Sequence, residues 1–265
     1  MTIYGEDLFK GAATYYSKYR PMYPPMLIRY LVERFSLNGE QQVMDLGCGP
    51  GNLTIRLADW CNKVVGVDPE KEMIKEAKRL HSELRIGDIQ WFNGDLEQYR
   101  LSQHHEKFEL VTIAKAFHWM DRSKVLENLY DMLNNGGGIA IIDNFEPDKK
   151  QAEWQERMNE VIGKWYGSER RAGNTTFTHP VSRHEDVISN SRFKLEMHEF
   201  PSYEISWTIE SILGNLYSTS FGSKRFLGDR LKEFESELKA ALLEINKTGE
   251  FKEKMNLSIK MAIKA

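Results

Sequence analysis

Apolar positions along this 265-residue chain follow two rhythms. Between positions 42 and 143, short apolar runs alternate with stretches of helical spacing. Segments 43–46, 63–68, 89–93, 108–113 and 139–143 read as strands. Segments 52–60, 69–84 and 121–134 read as helices, the last capped by Asp121 and ended by Gly136, Gly137 and Gly138. Strands that are apolar on both faces belong in a parallel sheet covered by helices on each side. Five strand–helix steps of this kind predict a doubly wound α/β fold.

The flanks differ. Pro21, Pro24 and Pro25 stop one element and open another, and 26–35 reads as a helix with Leu27, Tyr30, Leu31 and Arg34 at helical spacing. In the last third, Trp154, Met158, Val161 and Trp165 share a helix face. Thr208 caps a second helix through Leu216, and Phe226, Leu227, Leu231, Phe234, Leu238 and Leu242 stripe a third. Segment 193–205 reads as a strand. Met255, Leu257, Ile259, Met261 and Ile263 alternate with polar or small residues, as a half-buried strand requires. The expected organisation is an N-terminal helical segment over 1–40 and an α/β core over 41–145. A cap over 146–250 contributes one core strand near 193–205, and 251–265 forms the final core strand.

Composition narrows the function classes. Hydrophobic residues make up 41% and charged residues 28%, an ordinary globular balance. With 36 basic against 39 acidic side chains, no positive surplus is available for nucleic acid. No apolar run approaches the ~20 residues of a membrane span, and 1–7 lacks the pattern of a signal peptide. Two cysteines, Cys48 and Cys61, make neither a disulfide framework nor a metal site, which suits a reducing cytoplasm. His81, His104, His105, His179, His184 and His198 show no ligand spacing, so no metal is expected. A monomer or homodimer is the expected state.

The stretch from Asp45 to Leu53, with glycines at 47, 49 and 51, leaves a strand and enters a helix. Glycines allow a tight turn and let backbone approach a ligand, and the helix start adds free amide donors. Asp68 ends the second strand 21 positions beyond Gly47, where an acid would take ribose hydroxyls. A dinucleotide fingerprint wants glycine at the sixth loop position, which here is Asn52. A fixed carboxylate at Asp45 would also repel a pyrophosphate, by ~1–4 kcal/mol at contact range. S-adenosylmethionine carries no phosphate, and its sulfonium and ammonium suit a nearby acid.

Residues 43–53 resemble the signature loop of class I S-adenosylmethionine-dependent methyltransferases. Segments 16–24 and 116–121 resemble the small-molecule branch that includes trans-aconitate methyltransferase-like proteins. The resemblance implies a Rossmann-like, mostly parallel seven-stranded sheet with an antiparallel last strand and a helical cap. It implies that Gly47, Gly49 and Gly51, with Asp45 beside them, line the amino-acid tail of the cofactor, and that Asp68 holds its ribose. Asp95 and Leu96 would grip adenine, and Ala114 and Lys115 would sit beside the methionyl part, although an uncharged residue is usual at the latter. Tyr16, Tyr19 and Arg20 would close over the cofactor, with Arg20 on its carboxylate.

In-line methyl transfer to a small-molecule acceptor would then release S-adenosylhomocysteine. His118 is the candidate base or a pocket wall, and Trp119, Trp154, Phe177, His179 and Tyr217 are candidate walls. Two rivals remain: a non-catalytic protein that binds S-adenosylmethionine, and a NAD-dependent oxidoreductase.

Overall fold

The strand β1 (Gln42–Leu46) lies between β2 (Lys63–Asp68) and β4 (Phe108–Ala114) and runs parallel to both. The computed structural model describes residues 7–84, 87–103, 106–144, 149–169, 171–173, 175–177 and 181–265. Outward from β1, β2 pairs with β3 (Ile89–Asn93), and β4 pairs with β5 (Leu133–Asp143), all parallel. Beyond β5 come β11 (Ser258–Ile263) and β8 (Lys194–Glu199), giving the order β3-β2-β1-β4-β5-β11-β8. Only β11 runs against its neighbours. The strand order reverses between β1 and β4, and ligands of open α/β sheets bind at that point, beyond the carboxyl ends of the strands.

Alternation along each strand splits the core into two layers. Val43, Val64, Leu110 and Ile142 pack with Leu27 and Leu31 of α2 (Pro25–Arg34) on one face. Met44, Val65, Val111 and Ile141 pack on the other with Tyr99 of α5 (Leu96–Ser102) and Leu126 and Leu129 of α6 (Arg122–Met132). Fully burying each such aliphatic side chain contributes roughly 1.5–3 kcal/mol. The remaining cover comes from α3 (Thr54–Leu57), α4 (Lys71–Leu84) and α8 (His184–Ser189), the last packed on β8 and β11.

The cap has its own core. Helices α7 (Glu153–Tyr166), α9 (Ile209–Tyr217) and α10 (Leu231–Ile245) bury Trp154, Ile212, Phe234 and Leu238 against Trp207 and Phe251. A two-residue pair, β6 (Arg171–Ala172) with β7 (Thr175–Thr176), stands apart. The N-terminal helix α1 (Ala13–Tyr19) bridges α4 of the core and α9 of the cap. Among the described residues, no helix is long and apolar enough to cross a membrane.

Four sequence expectations are corrected. The helix expected over 52–60 shrinks to α3 and a 3-10 turn over 58–60, because Gly51 and Asn52 are spent on the turn before it. Gly136, Gly137 and Gly138 do not end a helix; they are the start of β5. There a side chain on Gly137 would lie 2.7 Å from the carbonyl oxygen of Glu109. The strand expected over 193–205 breaks around Pro201 into β8 and β9 (Tyr203–Thr208), since proline offers no amide for pairing. The strand expected over 251–265 also divides, into β10 (Glu250–Met255) and β11; β9 and β10 pair with each other in the cap, outside the main sheet. Side-chain alternation continues through the break, so the sequence pattern could not reveal it.

Candidate active site

The glycine turn is built by backbone bonds across strand ends. The amides of Gly47 and Cys48 both donate to the carbonyl of Val67, at 2.8 and 3.1 Å, and Gly51 N–H closes the turn on Cys48 at 3.0 Å. The Asp68 carboxylate accepts from Gly49 N–H at 2.9 Å and from Glu70 N–H at 2.8 Å. Burial pushes the Asp68 carboxyl up to about 6. All three glycines have positive φ, and at Gly49 an added methyl would meet only the Tyr16 ring, 3.9 Å away. That backbone therefore faces the cleft bare, as an approaching ligand requires.

Asp45 stands beneath the turn. It is 1% exposed and accepts hydrogen bonds from Thr54 Oγ1 (2.6 Å) and Thr112 Oγ1 (2.7 Å). Register places Asp45 opposite Thr112 on β4, so sheet pairing itself supplies one donor. Asp45 therefore clamps α3 and β4 beneath the turn instead of lining the cleft, and its charge reaches a ligand only at a distance. Burial raises its carboxyl above the ordinary range.

Helix α1 lies over this turn. It is docked on α4 by Gly11 N–H to Glu72 (2.6 Å) and Ser17 Oγ to Glu76 (2.6 Å). The Arg20 guanidinium sits 4.9 Å from the centre of the Tyr16 ring. Its Nη2 reaches the carbonyl of Ser218 at 3.4 Å, while its Nε is buried with no partner among the described residues. A buried donor left unmade costs about 1–3 kcal/mol, so this nitrogen is set for an acceptor that a ligand brings. Tyr19 points elsewhere. Its ring fills the space above Gly214 and its hydroxyl donates to Glu210 at 2.6 Å, so it fastens α1 to α9 and does not close over the cleft.

Two further pieces adjoin the turn. Ala114 ends β4, and Lys115 follows with φ +55°, its amide bound to the carbonyl of Ile142 at 2.9 Å. Burial and the charge of Arg20 push the Lys115 ammonium down to about 8. Asp95 N-caps α5 by accepting from Gln98 N–H at 2.9 Å. With Leu46, Gly47, Pro69, Gly94 and Leu96 it lines a hollow of about 60 Å³ beside the glycine turn.

On the other side of Lys115, His118 lies in a 3-10 turn, its ring centre 4.6 Å from that of Trp119 and 5.8 Å from that of Phe177. A nitrogen of His118, a carboxylate oxygen of Asp143 and a nitrogen of His184 all fall within 4.8 Å of one another. That spacing could suit a metal ion, which the sequence did not suggest. Arg122 Nη1, however, lies 3.1 Å from His184 Nδ1. A guanidinium only donates, so Nδ1 accepts, and the proton of the neutral ring sits on Nε2. That nitrogen faces Asp143 Oδ2 at 3.8 Å and has no lone pair for a metal.

Residues 43–137 match the family model described as a methyltransferase domain. Residues 43–137 therefore carry a methyltransferase domain. An uncharacterized methyltransferase of Schizosaccharomyces pombe is 27% identical over 162 residues, 60% of each chain. A Dictyostelium discoideum protein named as a methyltransferase is 24% identical over 92% of this chain and 88% of its own. The matches to the first curated relatives span about 60% of those relatives' length. The YcgJ protein of Bacillus subtilis shares the fold, with TM-score 0.55 and 16% identity over 89% of this chain and 97% of that one.

The fold brings Gly47, Asp95 and Leu96 to one hollow, ties Gly49 to Asp68 beside Tyr16, which stacks with Arg20, and sets Ala114 and Lys115 at the end of β4, while the space above Gly51 is filled by the Trp91 ring. Trp119 and Phe177 lie together beside His118, with ring centres 5.0 Å apart. Trp154 and Tyr217 do not stand as expected: both belong to the cap core. Trp154 packs 5.3 Å from Phe251, its indole N–H without a partner among the described residues. Tyr217 packs edge-on against Tyr15 and donates to Glu235. His179 lies outside the described residues, as do His104 and His105. Sequence reasoning missed Asp143, His184 and the threonines that hold Asp45. Only Asp143 carried a visible signal, an acid at the carboxyl end of a strand, as at Asp45 and Asp68.

Proposed function

We propose that this chain transfers a methyl group from S-adenosylmethionine to a small-molecule acceptor. The observation that carries the reading is the bare Gly49 backbone tied to the Asp68 carboxylate beneath Tyr16 and the unpartnered Arg20 Nε. The donor set fits the group. Asp68 suits two ribose hydroxyls, Arg20 suits a carboxylate, and Asp95 and Leu96 suit an adenine edge and face.

When bound, S-adenosylmethionine supplies an electrophilic methyl carbon on a sulfonium and leaves as S-adenosylhomocysteine. The protein's own part is alignment, exclusion of water and proton removal. Orientation alone can contribute about 7–11 kcal/mol in favourable cases. Tyr16 and α1 cover the tail side, and Trp119 and Phe177 form an apolar wall beside His118, a half-buried imidazole placed to take a proton from an acceptor hydroxyl or amine.

Calorimetry with S-adenosylmethionine and its demethylated product tests the cofactor site, and NAD serves as the control. Incubation with isotopically labelled methyl donor and a panel of small acceptors, read by mass, tests transfer. Binding of both nucleosides without transfer to any acceptor would favour a non-catalytic binding protein.

A further inference from the structure

The His118, Asp143 and His184 group comes from three elements at the same edge of the sheet: the turn after β4, the tip of β5 and the first residue of α8. Resting on the methyl-transfer reading, we propose that Asp143 is a positioning residue that fixes the ring orientation and tautomer of His118, so that one nitrogen stays an acceptor towards the substrate. His184 completes the arrangement from behind. Its Nδ1 accepts from Arg122, and Arg122 is itself held by the carbonyl of Ser182 (2.9 Å) and the Ser182 hydroxyl (2.8 Å). The proton on His184 Nε2 faces Asp143 Oδ2 at 3.8 Å, Asp143 Oδ1 accepts from Asn144 N–H at 2.7 Å, and a nitrogen of His118 lies within 4.8 Å of the same carboxylate.

A carboxylate behind an imidazole selects the tautomer with N–H towards the acid and stabilises the imidazolium formed on proton uptake. In the step this serves, the acceptor X–H loses its proton to His118, the X–C bond forms, and the C–S bond breaks. The electron pair of that bond remains on sulfur as a neutral thioether, and the proton ends on the imidazole. Charges acting on His184 are Arg122 from α6, Glu185 from α8 and Lys260 from β11, and Lys115 from the turn after β4 acts with Asp143, Lys115 itself being influenced by Arg20 and by Glu253 of β10. Asp143 is the carboxylate within reach of both rings.

The test is histidine nitrogen NMR on the full chain without ligand, with the His118 signal assigned by its loss in His118→Asn. The neutral His118 ring is expected in one tautomer, and Asp143→Asn is expected to lower its titration midpoint by about one unit and to redistribute the tautomers. An unmoved midpoint and tautomer in Asp143→Asn would overturn the proposal. So would a wild-type ring that exchanges between tautomers as free imidazole does, a result independent of whether Asp143→Asn folds. Stoichiometric zinc or manganese that shifts the His118 and His184 signals together would replace it with a metal site. S-adenosylmethionine affinity is measured in parallel: a tenfold loss in Asp143→Asn would assign Asp143 to the cofactor instead. Failure of the wild-type chain to bind S-adenosylmethionine would sink the methyl-transfer reading and leave the NMR result to be read by itself.

Discussion

Gly49 donates its amide hydrogen to the Asp68 carboxylate at 2.9 Å, so the glycine turn after β1 and the tip of β2 are held as one unit. Burial raises that carboxyl to about 6, which gives cofactor binding a pH limb. A carboxylate that accepts ribose hydroxyls must be ionised. Affinity for S-adenosylmethionine is therefore full above about pH 7 and falls as pH drops through 6, reaching about tenfold weaker at pH 5. Calorimetry across pH checks this, and Asp68→Ala should lose tenfold or more (~1.4 kcal/mol) at pH 7.5 and flatten the profile.

Two glycines of the turn should respond in opposite ways. A methyl on Gly47 would lie 2.5 Å from the Ala116 Cβ at a φ of +73°, so Gly47→Ala should cost about 2 kcal/mol or more and lower Tm by several degrees. At Gly49 only the Tyr16 ring is near. Gly49→Ala should cost about 1 kcal/mol of backbone strain yet weaken S-adenosylmethionine binding by tenfold or more, and Gly49→Val should weaken it at least as much. Equal Tm losses in the two alanine variants, with unchanged affinity at position 49, would count against the bare-backbone account.

Thr112 donates to the buried Asp45 carboxylate at 2.7 Å. Thr112→Val keeps the shape and removes the donor, leaving a buried acceptor short of one hydrogen bond. The expected loss is about 1–3 kcal/mol in denaturant unfolding. An unchanged unfolding midpoint would mean that Asp45 is satisfied without Thr112.

Lys115 combines a left-handed backbone, φ +55°, with an ammonium that burial lowers to about 8. Both are costs to the fold. Lys115→Gly should therefore stabilise the protein, by about 1 kcal/mol from the backbone alone. The electrostatic part of the gain has a definite sign. A lysine whose folded value lies below its unfolded value destabilises the fold while it is charged in both states, so the gain is greatest below pH 8 and fades towards pH 10. Methyl transfer should fall in the same variant, a trade that paired melting and turnover measurements would detect.

Much of the parallel sheet was readable because doubly buried strands such as 64–67 and 139–142 have no polar face and are too short for helices. The glycine turn was readable because Gly47, Gly49 and Asp68 need only short-range geometry. Tyr19 was misplaced because α1 has just seven residues and is touched on two sides. Tyr16 and Tyr19 resemble each other in sequence context, yet only Tyr16 meets the turn. Trp154 and Tyr217 were misplaced for a related reason: an apolar stripe says that a face is buried but not which cavity or core it meets.

By itself the sequence determined the alternation of strands and helices, the position of the glycine turn and the acid at the second strand's tip, since each follows from local periodicity and backbone freedom. Tertiary structure alone decided that Asp45 would be clamped by Thr54 and Thr112, that the last segments would divide between sheet and cap, and that Asp143 would meet His118 and His184. Those contacts join residues far apart in the chain. They depend on strand order and register, which no local pattern encodes.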